Sequence, residues 1–214
     1  FLEIQPDFPP AYNYRGYIKE ELDRLEEAIE DYAKAIEIQP DYQNAFNNRG
    51  FAKRKLGDFD GAIEDYTKAI EIDPTYAVAY NNRGFAKDKK GDYDGAIRDY
   101  TKAIEIQPDY AIAYNNRGFC RDSCQDYDGA IEDYTKAIDI KPDYERAYNN
   151  RGFSKGKNGD HYGAIEDYTR AIELNPDYYV AISNRADAYH DIEEYQKAIV
   201  DYEKSIRIEP TYAK

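Results

Sequence analysis

Seven prolines stand 34 residues apart along this chain: Pro6, Pro40, Pro74, Pro108, Pro142, Pro176 and Pro210. No other feature limits the fold as much, because the spacing tolerates no insertion or deletion from one end to the other. Each proline follows an Ile- or Leu-bearing stretch, such as AIEIQ before Pro40 and AIEID before Pro74, and precedes Asp or Thr and then an aromatic. Proline lacks an N–H and disfavours helix in its predecessor, so each one marks a helix end. A strict period of this length predicts supersecondary units that stack on their neighbours and share a continuous core.

Numbering each unit from 1 to 34, with this proline at position 32, gives repeats 9–42, 43–76, 77–110, 111–144, 145–178 and 179–212, with partial units at 1–8 and 213–214. Position 8 is Gly16, Gly50, Gly84, Gly118 and Gly152, then Ala186. Position 20 is alanine and position 24 tyrosine in all six units, from Ala28 and Tyr32 to Ala198 and Tyr202. Position 27 is alanine until Ser205. Two helices per unit are predicted, helix A over roughly positions 2–14 and helix B over roughly 18–31. Ala62, Ile63, Tyr66, Ala69 and Ile70 have the spacing of one buried stripe. Gly57, Gly91 and Gly159 stand where a left-handed C-terminal cap wants glycine, and Asp60, Asp94 and Asp128 where an N-cap is expected.

The aromatic at position 4, glycine at 8, alanine at 20, aromatic at 24, alanine at 27 and proline at 32 resemble the tetratricopeptide repeat over essentially the whole chain. The resemblance implies an all-α fold: antiparallel helix pairs in a right-handed superhelical solenoid with helix A lining the concave face. The last unit departs most, with Ile182, Ala186 and Ser205. The family's usual leucine at position 7 is replaced by Arg15, Arg49, Arg83, Arg117, Arg151 and Arg185. Its tyrosine at 11 is replaced by Lys19, Lys53, Lys87, Arg121 and Lys155, with Tyr189 last. Position 23 is aspartate six times, from Asp31 to Asp201. A cation near a packing surface needs a partner. Arginine and aspartate recur together, so an ion pair between helices A and B, Arg83 with Asp99 for example, is expected; the alternative sends the arginines to a ligand carboxylate.

Helix A carries the candidate binding residues. The motif AYNNRGF recurs at 79–85, 113–119 and 147–153, with AFNNRGF at 45–51. Position 5 supplies Asn47, Asn81, Asn115 and Asn149; position 6 supplies Asn48, Asn82, Asn116, Asn150 and Asn184; position 9 supplies Phe51, Phe85, Phe119 and Phe153; and position 13 supplies Lys89. In the resembled family these positions face the groove. An amide offers both donors and an acceptor, so an asparagine row can hold a peptide backbone whatever its side chains. The bland alternative is that the amides tie helix A to the neighbouring repeat and the phenylalanines fill space between repeats. The family's carboxylate clamp is poorly matched, since only its position-6 asparagine is present. Lysines at the ends of helix A (KRK at 53–55, KDKK at 87–90) point either to an acidic peptide edge or to favourable pairing with helix C-termini. A few neutral hydrogen bonds and two phenylalanine pockets, less the cost of ordering a peptide, suggest affinities on the order of micromolar or weaker, dependent on several repeats acting together.

A net charge of −14 argues against a phosphate-backbone partner. No apolar run reaches the ~18 residues that a spanning helix needs. Cys120 and Cys124, four apart, are badly spaced for a disulfide and are both expected to be core substitutions, which favours a reducing, cytoplasmic setting. His161 and His190 occupy unrelated positions and offer no convincing metal-ligand spacing, so no catalytic residue, cofactor or metal is expected. The reading is a non-catalytic scaffold for an extended peptide or protein partner. Two alternatives stay open. The ends carry no polar cap, which predicts self-assembly by end-to-end stacking into homo-oligomers. The missing initiator Met and mid-repeat start suit an excised fragment or the targeting arm of a larger enzyme.

Overall fold

The computed structural model describes residues 7–210. The predicted helical remnant FLEIQP and the TYAK terminus lie outside the described residues. Among the described residues there are twelve α-helices and no strand. The chain divides into two compact units, residues 1–108 and 109–214. The first holds α1 (Pro9–Glu21), α2 (Leu25–Ile38), α3 (Gln43–Lys55), α4 (Phe59–Ile72), α5 (Ala77–Lys89) and α6 (Tyr93–Ile106). The second holds α7 (Ala111–Ser123), α8 (Tyr127–Ile140), α9 (Glu145–Lys157), α10 (His161–Leu174), α11 (Tyr179–Asp191) and α12 (Tyr195–Ile208). Within each unit, consecutive helices pack on one another. Helix A of a repeat also touches the next helix A: α1 with α3, α3 with α5, α7 with α9, and α9 with α11.

Each 34-residue repeat contributes one helix pair. Helix A has 13 residues and helix B has 14, each beginning and ending one residue earlier than the periodicity predicts. The N-caps correct the sequence reading more substantially. Asp58, Asp92, Asp126 and Asp160 cap helix B, accepting hydrogen bonds from Gly61, Gly95, Gly129 and Gly163 N–H at 2.9, 2.9, 3.1 and 2.9 Å. Asp60, Asp94 and Asp128 lie inside the first turn, where their charge favours the positive helix end without capping it. A capping side chain must reach an N–H three residues on from a non-helical backbone, which Asp58 can do and Asp60 cannot. Gly61 belongs to the same device, because a Cβ there would stand 2.2 Å from an Asp58 carboxylate oxygen. The C-terminal caps are as predicted: Gly57, Gly91 and Gly159 have φ of 83°, 81° and 83°.

The core is small residues against tyrosine. Ala62, Tyr66 and Ala86 form one buried cluster in the first unit, and Ala164, Tyr168 and Ala188 its counterpart in the second. Position-8 glycine is where the tyrosine ring arrives: a Cβ on Gly50 would sit 2.9 Å from Tyr66 Cε1. Cys120 is fully buried in place of the alanine of other repeats, as expected. Cys124 is exposed, correcting its assignment to the core: it is the C-cap residue of α7, beyond the last helical turn.

Candidate functional site

The arginine–aspartate row lies between helices A and B. In all six repeats the arginine Nε and Nη2 grip both carboxylate oxygens, at 2.9 and 2.6 Å for Arg49 on Asp65 and 2.9 and 2.7 Å for Arg83 on Asp99. A second cation shares each carboxylate in five repeats: Lys53 with Asp65 at 2.8 Å, Lys87 with Asp99 at 2.7 Å, and Lys19, Arg121 and Lys155 likewise. The position-11 lysines are thus explained by the fold. The guanidinium also reaches back to the previous repeat, where Arg83 donates to Thr67 Oγ1 at 3.1 Å and Arg151 to Thr135 at 3.2 Å. These arginines are structural, and their charge is answered within the protein. Burial pushes the Asp31 carboxyl up, but hydrogen bonds and charge from Arg15 and Lys19 outweigh it and hold its pKa below the ordinary carboxylate value.

The paired asparagines divide into two roles. Those at position 5 (Asn47, Asn81, Asn115 and Asn149) are only 6–8% exposed. Asn47, Asn115 and Asn149 lie in the seams between repeats of one unit: Asn82 Nδ2 donates to Asn47 Oδ1 at 3.0 Å, Asn150 to Asn115 at 3.1 Å, and Asn184 to Asn149 at 3.0 Å. The first repeat joins the pattern through Asn48 and Asn13 at 3.1 Å. Asn149 in turn donates to Asn150 Oδ1 at 3.3 Å. Position 6 (Asn48, Asn82, Asn116, Asn150 and Asn184) is half-buried, and Asn48, Asn82, Asn150 and Asn184 form the edges of these seams. An amide has two N–H donors and two lone pairs, so Asn150 and Asn184 each keep a second N–H after tying the repeats together.

The phenylalanines differ between the two units. In the first, Phe51 and Phe85 are half-buried, and Arg54 lies 4.4 and 4.6 Å from their ring centroids. Lys89 Nζ stands 5.0 Å from the Phe85 centroid. In the second, Phe119 and Phe153 are 47% and 41% exposed. There, Phe119, Asn149, Asn150, Phe153 and Asn184 line one recess of about 380 Å³, together with Asp122, Ser123 and Tyr127. Five of the predicted residues therefore converge on a single cleft.

Position 12, which the sequence reading did not single out, meets the tyrosine hydroxyl of position 24 in two repeats. Tyr32 donates to Glu20 at 3.2 Å and Tyr134 to Asp122 at 2.8 Å. Asp122 also accepts from Ser154 at 2.6 Å. Burial pushes the Asp122 carboxyl above its ordinary value, opposed by those two hydrogen bonds. The visible signal was variation: this position reads Glu20, Arg54, Asp88, Asp122, Gly156 and His190 in an otherwise uniform repeat. Among the described residues no group of three or more His, Cys, Asp or Glu could hold a metal ion, and no helix is long and apolar enough to cross a membrane.

Comparison with known proteins agrees with this geometry. A family model described as TPR repeat matches residues 20–57, 52–91 and 123–159. Two described as tetratricopeptide repeat match residues 77–110, 145–178 and 179–212, and residues 99–132. No protein of curated function matches the sequence. Among solved structures, a MamA protein is 30% identical over 78% of this chain and 92% of its own, with TM-score 0.70. YrrB, described as a TPR protein with an unusual peptide-binding site, is 19% identical over 85% of this chain and 93% of its own, TM-score 0.68. PilF of Pseudomonas aeruginosa is 18% identical over 94% and 92%, TM-score 0.83. The last two likenesses speak to the fold alone.

Proposed function

This chain belongs to the tetratricopeptide repeat family, and from that premise we propose that it is a non-catalytic scaffold binding an extended segment of a partner protein along the exposed face of its A helices. The observation that carries the reading is the cleft of about 380 Å³ where Phe119, Asn150, Phe153 and Asn184 meet. Two exposed phenyl rings offer apolar pockets, and two half-buried amides offer the N–H groups left over from the seam. A peptide backbone has the complementary carbonyls at regular intervals. Groove contacts are assigned to positions 6 and 9, while the buried position-5 amides act by holding position 6 in place. The same fold carries a peptide-binding site in YrrB.

The test is selection from a displayed library of random 12-residue peptides, run on the wild-type chain and on Phe119→Ala/Phe153→Ala. Both rings are exposed, so the variant removes the pockets while leaving the core intact; matching circular dichroism checks this. Enriched peptides should bind the wild type with Kd on the order of micromolar and the variant at least about tenfold more weakly. Peptides that bind both equally, or no enrichment at all, would overturn the reading.

A further inference from the structure

The Arg54 seam of the first unit has a counterpart 102 residues later, at Gly156. In the first unit Arg54 lies 4.4 and 4.6 Å from the Phe51 and Phe85 ring centroids. In the second, Phe153 and Tyr168 remain, but the arginine is Gly156. The two neighbours that correspond to Phe85 and Lys89 are Asp187 and Asp191. The outcome is a recess of about 240 Å³ whose lining includes Phe153, Gly156, Lys157, His161, Tyr168, Asp187 and Asp191. Losing the Arg54 counterpart and replacing a ring and a lysine by two carboxylates leaves space beside Phe153 and two carboxylates against the one lysine, Lys157.

One buried polar atom in the recess has no hydrogen bond: His161 Nδ1, with Asp191 3.5 Å away. Tyr168 is only 4% exposed, and where the equivalent Tyr32 and Tyr134 hydroxyls meet a position-12 carboxylate, position 12 here is Gly156. Asp187 already accepts from the Tyr202 hydroxyl at 2.5 Å, which fixes its carboxylate at the rim. Lys157 Nζ stands 5.3 Å from the Phe153 centroid, but this does not close the site. Phe85 carries both Lys89 and Arg54 at once, so a ring of this row accommodates two cations.

We propose that the Gly156 recess receives the guanidinium of an arginine side chain on the bound partner segment, stacked on Phe153 and paired with Asp187 and Asp191, in the place that Arg54 fills from within the chain in the first unit. The planar guanidinium stacks on aromatic faces and matches carboxylates, as no other side chain does together. The assignment rests on the groove reading for the source of the arginine, while the recess itself can be tested apart from it.

The probe is N-acetyl-arginine-N-methylamide, titrated into the isotope-labelled full chain and followed by the backbone amide signals of Gly156, His161 and Tyr168. The uncharged citrulline analogue is the control. The key variant is Gly156→Arg, which supplies the missing side chain from within. It should fold, because a Cβ at Gly156 meets only the Ala164 Cβ, at 3.8 Å. A second variant, Asp187→Asn/Asp191→Asn, removes the charge without filling the space. The expected result is saturable shifts with Kd on the order of millimolar, at least about tenfold weaker for citrulline and for the double Asn variant, and lost in Gly156→Arg. No saturation, equal binding of citrulline, or shifts that persist in Gly156→Arg would overturn the proposal. The probe has no extended backbone, so the two readings separate. Selected peptides that bind while the probe does not would overturn this assignment alone; a probe that saturates when no peptide is selected would support the recess without the groove.

Discussion

Position 7 carries the same arginine on the same aspartate in every repeat, whereas position 12 reads glutamate, arginine, aspartate, aspartate, glycine and histidine. Both rows sit on helix A, less than two turns apart. The first is over-determined: in five of the six repeats the carboxylate takes three N–H groups from two cations, and several of the guanidiniums hold a threonine of the previous repeat as well. The second meets the tyrosine hydroxyl of position 24 through Glu20 and Asp122, while the Tyr66 hydroxyl beside Arg54 has no hydrogen bond and position 12 of the fifth repeat has no side chain. A repeat protein can thus keep its architecture in one row and vary its surface in another, because the two rows share no hydrogen-bonding partner.

The largest effect expected from breaking this contrast is at Asp99. Asp99→Ala strands Arg83 and Lys87 beside a nearly buried site and should cost about 3–5 kcal/mol in chemical denaturation; a loss under about 1 kcal/mol would mean that the arginine is solvated instead. Next come two glycines that differ only in what surrounds them. Gly50→Ala drives a Cβ to 2.9 Å from the Tyr66 ring and 3.2 Å from the Ala62 backbone oxygen, and should cost about 1–3 kcal/mol. A Cβ from Gly156→Ala meets only the Ala164 Cβ at 3.8 Å, an ordinary contact, so the helical preference for alanine should raise stability by about 0.5–1 kcal/mol. Equal signs for the two in thermal melts would refute the difference in packing drawn here.

The smallest effects are slopes with pH. The Asp31 pKa is lowered on folding, so its contribution is present above the unfolded carboxylate pKa and is lost as pH falls through the folded one. Asp122 is raised, so its contribution is present at low pH and is lost as pH rises through the folded pKa. Denaturation midpoints between about pH 2 and pH 7 should therefore fall less steeply on acidification in Asp31→Asn than in wild type. In Asp122→Asn the loss on going toward neutral pH should be missing. Parallel profiles for both variants and wild type would show that the two carboxylates feel the same surroundings.

The fold was legible because it depends on residues whose meaning is local or periodic. Pro40 stops a helix wherever it stands, and Gly57 suits a left-handed cap before any tertiary contact is known. The Arg83–Asp99 pair was legible from co-occurrence in all six units. The N-cap was misplaced because Asp58 and Asp60 flank the same helix start and only the backbone decides between them. The lysines at position 11 read as an acidic-peptide edge or as partners of a helix C-terminus, because nothing in one dimension says that Lys87 and Arg83 reach the same carboxylate. The asparagines were recognised as special, but their division between seam and surface depends on a rotation of about one residue around helix A. The Gly156 recess was invisible, since it exists only where three substitutions from two repeats meet.

The guanidinium that spans two repeats also bears on how the protein comes apart. In a linear array, stability separates into the worth of each unit and the coupling between neighbours. Arg83 contributes to both, through Asp99 within its repeat and Thr67 in the one before. Melting one helix pair therefore removes a contact from the next, and unfolding is propagated along the chain rather than confined to one segment. The same arginine thus lengthens the stretch that unfolds as one cooperative block.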